Sequence, residues 1–127
     1  MTGGPAQLET LQEVSQELME KIARRLKAMG HPTRLRILHA LEEGELSVSD
    51  ILTRVGGRQA NLSKHLTVLR GAKLVTSRRD GVSVCYRICD PIVFRICESV
   101  CDSLEREASD EVDKIRQARS LMLAGKP

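Results

Sequence analysis

Four thiols and one polar helix face hold the chemistry that this 127-residue chain offers. The thiols are Cys85, Cys89, Cys97 and Cys101. Cys97 and Cys101 are spaced i, i+4, one turn apart on neighbouring faces of a helix. Two thiolates at that spacing can share a soft ion such as trivalent arsenic, cadmium, lead or mercury. They can equally be oxidised, or joined through sulfur, as a redox or persulfide switch. A direct disulfide is awkward there, because the Cα atoms lie about 6 Å apart on an intact helix with poorly directed Cβ vectors. Cys85 and Cys89 close a candidate strand and are further sensor candidates. Cys89 stands about 12 Å of helical rise from Cys97, so these two are expected to lie apart from the i, i+4 pair within one subunit. The plain alternative is that Cys97 packs as a small apolar residue, as buried Cys often does.

The helix face lies between Arg58 and Arg70, in R-Q-A-N-L-S-K-H-L-T-V-L-R. Leu62, Leu66 and Leu69 fall on one side of a 3.6-residue wheel, and Ala60, Ser63, Lys64 and Thr67 on the other. Small and polar residues beside one Lys, on a helix anchored by its far face, suit insertion into a DNA major groove. Arg58, Gln59 and Asn61 join the candidate contacts at the start of the helix. His65 lies nearer the buried edge and reads as packing or a phosphate contact, not base readout. An ordinary solvated face has the same binary pattern, so the neighbours of the helix must decide.

Charge decides part of it. The net charge of +3 hides a segregation. Arg58 to Arg79 holds six bases and no acid, Asp90 to Asp113 holds eight acids against two Arg, and Met1 to Glu20 holds four Glu and no base. One basic block in an acidic frame is the footprint of a phosphate-backbone binder. With only Tyr86 and Phe94 as aromatics, the core must be aliphatic, and stacking platforms for single strands are excluded. No apolar run approaches the roughly 20 residues that span a membrane, and no signal-peptide core is visible. The chain is expected to be cytoplasmic, with reduced thiols and no structural disulfides.

The elements that would position these residues form one domain of mainly α structure with a small β-hairpin, over residues 1–127. Residues 1–7 should be frayed. Leu8, Leu11, Val14, Leu18, Ile22, Leu26 and Met29 step by threes and fours, giving a long helix over 8–29 that ends at Gly30. Pro32 starts a second helix. Leu35, Leu38 and Leu41 face inward on it, Ile37 flanks them, and Arg34 and Arg36 point elsewhere. Ser47 caps a short third helix. With the Gly56-Gly57 turn and the Arg58 helix, this makes a helix-turn-helix over 47–70, closed by Gly71. Residues 74–88 alternate with period two around Asp80-Gly81, a hairpin signal. Val82, Val84, Tyr86 and Ile88 share one face of it, and Ser83, Cys85 and Arg87 the other. With Arg78 and Arg79 at its tip, this hairpin is a wing that reaches phosphates beside the groove. Asp90-Pro91 opens a last helix over 91–123, about 45 Å of apolar stripe. A domain of this size cannot bury that stripe alone, so the two long helices are predicted to form a homodimer interface.

In this order the local words resemble the ArsR/SmtB family of winged-helix transcriptional repressors. The matching words are A-M-G-H-P-T-R-L-R-I-L (Ala28 to Leu38), E-L-S-V-S-D-I (Glu45 to Ile51), Q-A-N-L-S-K-H-L-T-V-L (Gln59 to Leu69) and the D-G wing ending in Y-R-I-C-D-P. The resemblance covers about two thirds of the chain. It implies a winged helix-turn-helix homodimer on double-stranded operator DNA, released by an effector, with Gln59, Ala60, Ser63 and Lys64 at the major groove. Two effector sites of that family do not carry over. Where a thiolate pair would stand in a word like E-L-C-V-C-D-L, this chain has Ser47 and Ser49. No His follows His65, so the imidazole site for zinc or nickel on the last helix is missing too. The expectation is a repressor that needs no obligatory cofactor and is controlled by a thiophilic ion or a thiol-modifying signal at Cys97 and Cys101. The alternative is a winged-helix protein-interaction module without direct effector sensing. Enzymatic activity is not expected: the three His are dispersed, and the Gly pairs read as helix turns, not phosphate loops.

Overall fold

The computed structural model describes residues 4–125, and the frayed start expected for residues 1–3 lies outside that range. From residue 4 on, the expected fraying gives way to helix. Helix α1 spans Pro5–Met29. Pro5 sits in its first turn, where a missing N–H costs nothing, and the Gly4 carbonyl accepts from the N–H groups of Gln7 and Leu8. Helix α2 spans Pro32–Ala40. A two-residue strand, β1 (Leu46–Ser47), leads into helix α3 (Val48–Val55). Helix α4 (Gln59–Gly71) follows, then strands β2 (Val75–Asp80) and β3 (Ser83–Ile88), and finally helix α5 (Ile92–Ala124). The chain divides into two compact units, one up to Pro91 and one from Ile92 onward.

The first unit is a winged helix-turn-helix. Its core is aliphatic: Ile37, Leu38, Leu41, Ile51, Leu62, Leu66, Leu69, Leu74 and Val75 are buried. Ile37, expected to flank, is fully buried, whereas Leu35 is half-buried. Helix α2 packs on α3 and α4, and α1 also touches both α2 and α4. Gly56 and Gly57 take φ of 80° and 85°. That is the left-handed side of backbone space, which side chains disfavour, and it turns α3 into α4 in two residues. Gly71 is the last residue of α4 and not its cap. Ala72 caps it and Lys73 adopts φ 61°, while the Leu74 N–H returns to the Leu69 carbonyl.

The wing has three strands, not two. Their order is β1-β3-β2, all antiparallel, so β3 is central. Leu46 pairs with Tyr86 and Ser47 with Cys85. A two-residue strand has no readable period, which is why the sequence does not announce it. The hairpin also turns one residue later than expected. Asp80 pairs with Ser83, leaving Gly81 and Val82 as the loop, with Gly81 at φ 64°. Glycine at the first central position is the favoured chemistry of such a turn. Tyr86 is buried on the face expected to be inward, but Cys85 on the other face is buried too, and Val82 has left the strand for the fully exposed tip. Helix α3 packs against β3, which accounts for a second covered face.

The second unit is the single helix α5, 33 residues and about 50 Å long. It begins at Ile92, one residue after the expected start. Val100, Leu104, Val112, Ile115 and Leu121 are exposed along it. No helix of the described residues is long and apolar enough to cross a membrane.

Candidate nucleic-acid interface and thiol pair

Helix α4 is fixed from below. Leu62, Leu66 and Leu69 are all buried, one on each successive turn. The opposite side is open: Arg58, Gln59, Ala60, Asn61, Ser63, Lys64 and Thr67 are exposed. The Thr67 hydroxyl donates to the Ser63 carbonyl at 2.9 Å, so it is already engaged within the helix. Arg58 supplies the N-cap residue of α4 in extended conformation. Helix α4 is thus a rigid rod with a row of short polar groups, two carboxamides and a cation on its free side. Amides and a Lys on such a rod match the donor and acceptor edges of base pairs.

The wing cations differ from one another. Arg79 is exposed at the end of β2. Arg78 instead makes a two-pronged pair with Glu45, its Nε and Nη2 donating to the carboxylate at 2.5–3.0 Å. The hydrogen bond from Arg78 holds the Glu45 carboxyl below the usual value of 4.5, and Glu45 in turn raises Arg78. At the other end of α4, Arg70 reaches the Ser77 hydroxyl at 3.4 Å and ties the helix to β2.

The sequence placed His65 near the buried edge of α4, and it is half-buried there; the roles of His31 and Arg34 behind it were not read. His31 caps α2, its Nδ1 accepting from the Thr33 N–H at 3.1 Å. Arg34 does not point away. Its Nε donates to Nδ1 of His65 at 3.1 Å, and its Nη1 donates to the carbonyls of Ala28 and Lys27 at the end of α1. The His31 and His65 rings stack at 4.4 Å between centroids, tilted by 44°. The His-Pro pair before a helix could have flagged the cap, but no local pattern marks Arg34.

The thiols fall in different surroundings. Cys85 is buried in the sheet and Cys89 is exposed just after it, its N–H donating to the Leu74 carbonyl. On α5, Cys97 is half-buried and Cys101 exposed. All four are free thiols. Ser47, where the resembled family can carry a thiolate, accepts the Asp50 N–H at 3.1 Å and caps α3. Serine hydroxyls are poor ligands for soft ions, so positions 47 and 49 do not fit that site. Among the described residues no cluster of three or more His, Cys, Asp or Glu could hold a metal ion.

Helices α3 and α4 with the sheet define a winged helix-turn-helix protein. A helix-turn-helix domain model matches residues 29–78. An uncharacterized HTH-type transcriptional regulator of Mycobacterium tuberculosis, Rv0081, is 36% identical over 107 residues, which is 84% of this chain and 94% of the relative. Its crystal structure has a TM-score of 0.65, covering 75% of this chain and 96% of that one. A transcriptional repressor SmtB homologue of Synechocystis is 32% identical over 77% of this chain and 78% of its own length. The homodimeric winged helix-turn-helix DNA-binding domain Mb0332 of Mycobacterium bovis, a possible ArsR-family regulator, is 31% identical with a TM-score of 0.64, over 76% of this chain and 89% of that one. The chain belongs to the ArsR/SmtB family of winged helix-turn-helix transcriptional regulators.

Proposed function

We propose that this regulator is a sequence-specific repressor that binds double-stranded operator DNA as a homodimer and leaves it through thiol chemistry at Cys97 and Cys101. The observation that carries the DNA reading is α4: three buried leucines on one side and seven exposed candidate contacts, Arg58 to Thr67, on the other. Gln59 and Asn61 have the donor and acceptor geometry for adenine, Lys64 for guanine, and Ala60 and the Thr67 methyl for the thymine methyl. Arg79 supplies a phosphate contact on the wing. The repressor name of the SmtB homologue and the homodimeric, DNA-binding description of Mb0332 support the same reading. The exposed apolar stripes of α1 and α5 supply the surface for a second copy.

For the inducer, Cys97 and Cys101 lie one turn apart and at least partly accessible. A thiophilic ion would displace two thiol protons to solvent as it binds both sulfurs. The test is a gel shift on duplex DNA from upstream of its own gene. Binding should weaken steeply as salt rises, since counterions are released. A salt-insensitive protein complex and no shift on any upstream palindrome would replace this reading with a protein-interaction module. Arsenite or cadmium should release the DNA from the wild type but not from a Cys97→Ser/Cys101→Ser variant. Release by persulfide alone would assign the same pair to sulfur signalling, and equal release from both proteins would remove the cysteines from the mechanism.

A further inference from the structure

We infer that His65 is a positioning residue of the DNA-reading helix, seated by Arg34 and His31, and that protonating it lets go of DNA. This rests on the DNA reading above. His65 is on α4 beside Leu62 and Leu66, one turn after Asn61 and one step round the helix from Lys64. It is held from the other side, by a guanidinium that also binds the last carbonyls of α1. One Arg therefore joins α1, α2 and α4, and His65 is where α4 enters that joint.

The joint works only with a neutral imidazole. Arg34 is a permanent donor, so the 3.1 Å bond requires a bare lone pair on Nδ1 of His65. A proton added at that nitrogen turns the acceptor into a donor aimed at a donor, and sets one cation against another. The groups that bear on His65 are His31 from the α1–α2 junction and Arg34 from α2. Against the far end of α4, β2 brings Ser77 to Arg70. Burial first, then His31 and Arg34, lower the His65 pKa below its usual 6.5. Stability from the neutral form is therefore complete above 6.5 and is lost as pH falls through the lowered folded value. Simple electrostatics predicts the reverse for DNA affinity, since added positive charge attracts phosphate.

The opposition makes the test sharp. DNA affinity of the wild-type protein is followed by fluorescence anisotropy on the upstream duplex between about pH 8 and pH 5. The expected result is a fall in affinity on acidification of up to about tenfold per pH unit for each linked His65, and so up to about a hundredfold for the two of a dimer. His65→Gln keeps an acceptor for Arg34 but cannot take the proton, so its affinity should stay flat or rise. Arg34→Gln removes the facing cation and should move the His65 midpoint upward. An affinity in the wild type that is flat or tightens in acid overturns the inference, as does the same fall in His65→Gln. The imidazole and amide NMR signals of the free protein form a separate arm. Amides of Ala60, Ser63 and Lys64 should shift with the His65 midpoint, and stationary amides overturn the inference. If no duplex binds at any pH, the DNA reading fails, and the seat stands or falls on those amides alone.

Discussion

Arg78 belongs to the basic block, yet its guanidinium is engaged by Glu45 across the sheet. A phosphate would have to compete with a carboxylate already in a matched, two-pronged geometry. Replacing Glu45 with Gln should free Arg78, tighten DNA binding without regard to sequence, and steepen the logarithmic salt dependence by about one unit, measured by anisotropy at several salt concentrations. The pair itself persists through neutral pH. Glu45 sits below 4.5, so the stabilisation it gives is present above that value and is lost only as pH falls through its lowered pKa. A second residue shows how one side chain holds two elements: Ser47 ends β1 and caps α3. Ser47→Ala should lower unfolding free energy by about 1 kcal/mol in denaturant titration. The sequence showed the cap, because Ser and Asp three apart announce it. It could not show the strand, or the partner of Arg78, because Glu45 and Arg78 are 33 positions apart.

At the scale of elements, α4 was legible because three leucines at helical spacing leave little freedom in which side is buried. The turn before it was legible for the same reason that it is fragile. Gly56 has φ 80° and ψ −174°, with no atom near where a Cβ would stand. Gly56→Ala would meet no clash but would carry backbone strain of about 1–3 kcal/mol, read as a lower thermal midpoint. Leu66→Ala, by contrast, opens a hole under the reading helix and should cost about 2–5 kcal/mol by the same measurement. The hairpin was legible as a hairpin but one residue out of register, because Asp-Gly is the stronger local signal and the ladder chose Gly81-Val82. The alternation within β3 was read correctly; what the sequence did not show is that both of its faces are covered, so that Cys85 is buried as well as Tyr86. The Arg34 joint left no trace in the pattern at all, since its partners come from two other helices, α1 and α4.

For the whole molecule the largest fact is what stays uncovered. Leu8, Leu11, Val14, Leu18 and Ile22 on α1, and Leu104, Ile115 and Leu121 on α5, are exposed in the single chain. Leu104→Glu/Ile115→Glu should shift the protein toward monomer in sedimentation, remove the concentration dependence of its thermal midpoint, and weaken operator binding. An unchanged sedimentation coefficient would place the dimer contact elsewhere. The same molecule also carries its own reporter. Tyr86 is the only tyrosine, and there is no tryptophan. It is buried at the centre of the sheet, opposite Leu46 on one edge and Ser77 on the other. Its ultraviolet emission therefore comes from one place, where all three strands meet. Followed beside the helical circular dichroism signal, it lets an experimenter watch the wing melt or shift separately from the helices, with no label attached.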